Sequence, residues 1–137
     1  MDTKSTDNQG VVNGMPLFLL RLEGFVYFVA GLYLFGHCQK SWWMFAALFF
    51  APDVGMLGYL LGPRVGAVCY NIVHVEIVPI VLGIGSLMVN NSFLFAFATI
   101  WFCHIGFDRM LGFGLKYTRG FGYTHLGVMR RKKSQQG

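Results

Sequence analysis

What this chain has least of is charge. Asp, Glu, Lys and Arg make up 12% of its 137 residues, against about 25% in soluble domains. Mean hydropathy is +0.52, so a soluble globular domain is excluded and an integral membrane protein implied. Cysteine is scarce as well. Cys38, Cys69 and Cys103 are odd in number, lie apart in apolar stretches and form no C-x-x-C pair, which excludes a disulfide framework or a zinc ribbon and makes each a small packing residue. The opening MDTKSTDNQGVVNG lacks the basic lead, apolar core and small-residue cleavage site of a secretory leader, so the first apolar segment is expected to stay in the mature protein. Net charge is +5, but Lys116, Arg119, Arg130, Arg131, Lys132 and Lys133 all follow the last apolar segment. Such a tail sets topology first and contacts anionic membrane lipids second; nucleic acid is not an expected partner.

What is there instead is apolar length. A bilayer core takes about 20 apolar residues per helix, and the breaks at His37–Ser41, Gly62-Pro63-Arg64 and Asn90-Asn91-Ser92 divide the chain into spans over 16–36, 42–61, 65–88 and 93–115. Linkers this short force antiparallel neighbours. The expectation is an all-α, integral membrane, up-down four-helix bundle at 15–117, with a disordered tail at 1–14 and a basic tail at 118–137. Lys4, Arg64 and the terminal basic set fall on one side and only Lys40 near the loops of the other. The positive-inside rule therefore puts both termini in the cytoplasm of a multi-pass protein of the cell membrane. Gly55, Gly58, Gly106, Gly112 and Gly114 are expected to let helices approach closely.

Against that background, WFCHIGFDRMLGFGLKY at 101–117 is costly, since each charged side chain at bilayer depth costs at least ~2.5 kcal/mol. At about 1.5 Å of rise per residue, Glu23, Asp53, Asn71, His74, His104 and Asp108 all fall roughly 9–17 Å from the cytoplasmic ends of their spans. One layer supplied by every helix implies a shared polar pocket. His104 and Asp108 are at i and i+4 and point the same way, as do Tyr70 and His74, with Asn71 near that face. Asp53 follows Pro52, where the helix is expected to kink and line a cavity. Glu76, turned roughly 200° from His74 on a continuous helix, ranks second, with Pro79 behind it freeing a carbonyl for a polar contact.

Three functions fit such a layer. In a structural network, Arg21 or Arg109 pairs with Glu23, Asp53 or Asp108 and the histidines donate between helices. In a metal site, Asp53, His74, His104 and Asp108 ligate a divalent ion, with zinc, iron and manganese all suited; an open position there makes a hydrolase or transferase acting on a lipid or small amphiphile, with the same four residues catalytic. Arg21, Glu23, Asn71 and Arg109 are then expected to support the site or meet a substrate anion, and His125 to fold back over its mouth. In ion, proton or small-solute transport, the same residues mark a pathway, and so small a chain needs a homo-oligomer.

The blocks RLEG (Arg21–Gly24), APDVGMLGYLLGPRVGAVCYNIVH (Ala51–His74), HIGFDRMLGFGLKY (His104–Tyr117) and THLG (Thr124–Gly127) resemble the family called domain of unknown function 4260, found mainly in bacteria. The likeness runs from about Leu17 to Gly127. It implies a small multi-pass membrane protein and brings no activity with it. Its blocks contain Glu23, Asp53, His74, His104 and Asp108.

Overall fold

The structure, a computed structural model, describes residues 12–116, 123, 124 and 126–128. Its elements are helices α1 (Gly14–His37) and α2 (Trp42–Leu48), a 3-10 helix (Ala51–Leu61), helices α3 (Pro63–His74), α4 (Ile77–Met88) and α5 (Ser92–Leu111), and a hairpin of β1 (Tyr123–Thr124) and β2 (Gly127–Val128). Three segments, Gly14–His37, Trp42–Leu61 and Ser92–Leu111, are long and apolar enough to cross a membrane; a fourth is obtained if α3 and α4, bent by 43° at their junction, count as one span. Large apolar side chains such as Phe18, Val26, Leu60, Ile84 and Met88 are exposed, the pattern that membrane-crossing helices share. The tails outside the described residues include His125 and the basic set from Arg130 to Lys133.

Helix α5 is the centre. It packs along α1, against α4 and more lightly against α2 and the 3-10 helix, and Ala96, Ala98, Thr99, Ile100 and the run Cys103–Gly106 are buried along it. In lipid there is no water to drive apolar surfaces together, so close van der Waals contact must do the work. Glycine supplies it. A Cβ at Gly24 would strike Arg109, one at Gly31 would strike Cys103, and one at Gly106 would strike the backbone of Phe28. Gly112, by contrast, is the left-handed cap of α5 at φ 90°, where Phe113 N–H returns to the Asp108 carbonyl at 2.8 Å. The fourth span therefore stops at Leu111 rather than 115, and Gly112 serves a turn, not a helix contact.

The second span is not a kinked α-helix. After α2 the chain winds into eleven residues of 3-10 helix, far beyond the three or four residues usual for that form. With three residues per turn, positions i and i+3 eclipse and the segment separates into pure rows. Val54, Leu57 and Leu60 are 62%, 62% and 84% exposed. Gly55 and Gly58 lie so close to Cys69 and Val73 of α3 that a side chain would collide. Asp53, Met56 and Tyr59 form the third row, half-buried.

The third span is broken. Helix α3 ends at His74, and Val75 is extended at φ −93°, ψ 133° before α4 begins. Expected as one helix over 65–88, it is two.

Candidate metal centre

Three elements deliver four ligand-type side chains to one point. Asp53 comes from the 3-10 helix, His74 from the last residue of α3, and His104 and Asp108 from successive turns of α5. One atom from each lies within 4.8 Å of all the others. Both histidine side chains are buried, while those of Asp53 and Asp108 are 33% and 16% exposed, so the carboxylates form the accessible side.

The distances within the cluster are nearly uniform. His74 Nε2 is 3.4 Å from Asp53 Oδ1 and 3.4 Å from Asp108 Oδ2. His104 Nε2 is 3.4 Å and 3.3 Å from the same two oxygens, and the two Nε2 atoms are 3.3 Å apart. Bonds of about 2.0–2.1 Å at tetrahedral angles place ligand atoms ~3.3–3.4 Å from one another. Five of the six edges thus match a tetrahedral zinc-type sphere. The sixth, between the carboxylates, is held within 4.8 Å. With both imidazoles neutral, two carboxylates and one divalent cation sum to zero charge, the condition under which such groups are tolerated in an apolar interior.

The two histidines are held differently. His74 Nδ1 lies 2.9 Å from the Tyr70 carbonyl; a carbonyl only accepts, so Nδ1 carries a proton and Nε2 is the ring nitrogen aimed at the cluster. Tyr70 also stacks on that ring at 3.8 Å between centroids. His104 packs edge-on against Phe49 at 5.2 Å, and its Nδ1 is buried with no hydrogen-bond partner among the described residues.

The surrounding residues divide. Arg109 is buried and donates from Nε to Glu76 Oε1 at 3.1 Å and from Nη2 to the His74 carbonyl at 3.2 Å. Its ion-pair partner is therefore Glu76, in place of the Glu23, Asp53 or Asp108 expected for it. The break at Val75 resets the helical phase, so a residue calculated to face away from His74 comes round to its side. Arg21 donates to the Met110 carbonyl at 2.9 Å rather than to a carboxylate. Glu23 is exposed and lies outside the four-residue group: α1 turns it away because Gly24, next to it, is the face that meets α5. Asn71 clamps the Lys116 backbone, donating to its carbonyl at 2.8 Å and accepting from its N–H at 2.7 Å. His125 lies outside the described residues. Lys116 itself holds its ammonium 4.7 Å over the Tyr70 ring. Burial pushes that ammonium below the ordinary lysine range, with Asp108 and Asp53 pulling it back up.

Trp101 adds a contact that its place in the sequence does not announce. Its indole donates to the Val73 carbonyl at 2.7 Å. The only signal in the sequence is that a buried tryptophan N–H needs an acceptor.

Among known families, the model for a domain of unknown function (DUF4260) matches residues 18–129. Comparison with curated proteins and with solved structures finds no match.

Proposed function

The chain belongs to the DUF4260 family, and we propose that it is a membrane-embedded metalloprotein in which Asp53, His74, His104 and Asp108 hold one divalent cation, zinc before iron or manganese. The observation that carries this is the set of five interligand distances of 3.3–3.4 Å. A divalent ion there supplies a Lewis acid for hydrolytic or group-transfer chemistry. Asp53 and Asp108 form the accessible side, and apolar residues such as Phe50, Val54 and Leu57 are exposed beside Asp53. A lipid or small amphiphile is the substrate class that suits such surroundings. In this reading α3 and α4 together make one crossing, the four crossings run up and down as a bundle in the cell membrane, and both termini are cytoplasmic.

Elemental analysis of the detergent-purified chain tests it. One metal per chain is the expected result, with occupancy after purification lowered in His104→Ala and Asp108→Asn, and metal-dependent turnover of a phospholipid or acyl ester in mixed micelles as its sequel. Wild type that remains metal-free after loading ends the proposal.

One feature favours a second reading. The Nδ1 of His104, without a hydrogen-bond partner among the described residues, suits a ring whose proton sits on Nε2 and is donated to Asp108 or Asp53, in a hydrogen-bonded network that only joins the helices. Metal content decides between the two.

A further inference from the structure

The two carbonyls that end α3 would ordinarily accept from N–H groups one turn ahead. Because the chain breaks at Val75, they do not. Val73 is satisfied by the Trp101 indole at 2.7 Å and His74 by Arg109 Nη2 at 3.2 Å, both side chains of α5. Arg109 reaches further. Its Nε holds Glu76, the residue just before α4, at 3.1 Å, so one guanidinium ties the end of α3 to the entry of α4. Behind it, Gly24 of α1 brings that helix against the Arg109 Cβ and the neighbouring backbone, which leaves the stem little room to move. The same helix that carries His104 and Asp108 therefore also fixes where α3 stops, and α3 stops at the third ligand.

We propose that Trp101, Arg109 and Glu76 are positioning residues: a latch across the broken span that sets His74 in register with the ligands on α5, touching no ligand-type atom itself. The inference rests on the metal reading given above. Outer partners of metal ligands typically contribute about 10–100-fold in affinity, and the latch belongs to that class although it acts through the backbone of His74 rather than its ring.

The test is competition for Co²⁺ or Zn²⁺ against a chromophoric chelator, with the full chain in detergent. Arg109→Lys keeps the charge but loses the fork, Glu76→Gln keeps an acceptor but loses the charge, and Trp101→Phe keeps the ring but loses the donor. Each is expected to weaken binding about 10–100-fold. The decisive step repeats Arg109→Lys in two backgrounds. The loss disappears in His74→Ala, where nothing remains to position, and persists in Asp53→Ala; an equal loss in both, or no loss in wild type, overturns the latch. Should wild type bind no metal, the metal reading falls and amide exchange decides the latch separately. Faster exchange at Val75–Val78 in Arg109→Lys and Glu76→Gln upholds it, and unchanged exchange removes it.

Discussion

The half of the helical assembly near the 38–41 and 89–91 loops and the half near the termini are held by different physics. In the first, Phe35, Phe49, Ala96, Ile100 and Cys103 form a buried apolar cluster, with Phe45 stacked on Phe49 at 5.4 Å. Close packing joins these helices, with a single thiol hydrogen bond from Cys103 Sγ to the Phe28 carbonyl at 3.3 Å beside it. In the second, carboxylates, imidazoles and a guanidinium must meet at set distances, and shape alone is insufficient. Small residues let the apolar half close; the polar half needs a broken helix, a 3-10 helix and a latch to aim its groups. A lesion in the first should cost stability and spare binding. A lesion in the second should do the reverse.

The sharpest challenge to that division is Asp108→Asn, nearly isosteric. It should weaken metal binding by at least the ~10–100-fold that an outer partner is worth, while the metal-free chain unfolds in detergent close to wild type. Metal titration beside a denaturation curve reads both. Ile100→Ala is the mirror experiment. We expect a loss on the order of 2 kcal/mol, the low end for a core deletion because lipid rather than water meets the removed surface, with metal affinity unchanged. Leu57→Ala, on the exposed row, should change stability by less than ~0.5 kcal/mol and leave binding alone; a large effect would show that the row is covered by protein.

The smallest effect is with pH. Burial lowers the folded-state pKa of Lys116 below its value of 10.5 in the unfolded chain. The unfolded state then binds more protons between the two values, so this group's contribution rises as pH climbs through that window toward 10.5. Thermal denaturation of wild type against Lys116→Gln at neutral and alkaline pH should show that rise only in wild type.

How much of this was legible in the sequence depended on helical phase. On α5, unbroken from Ser92 to Leu111, the i,i+4 rule was enough to put His104 and Asp108 side by side. His74 and Asp53 were reachable from depth and composition, and the family resemblance now rests on a match over 18–129. Where phase breaks, projection fails. Glu76 was rotated away by a helix that does not continue past His74, and its pairing with Arg109 could not be foreseen. The 3-10 form of Ala51–Leu61 was likewise hidden, since Pro52 signals a disturbed helix without saying which kind. Glu23 lay at the right depth yet on the wrong face, because depth fixes one coordinate and says nothing of azimuth. Which face of α1 turned inward was written in Gly24 and Gly31, the residues that carry no side chain.

X-ray absorption at the metal edge of zinc-loaded protein addresses the cluster itself. We predict a first shell of nitrogen and oxygen at about 2.0–2.1 Å with the outer-shell pattern of two imidazoles, reduced to one in His104→Ala. A sphere containing sulfur at about 2.3 Å, or a spectrum indifferent to His104→Ala, would contradict the assignment of Asp53, His74, His104 and Asp108 as a metal centre.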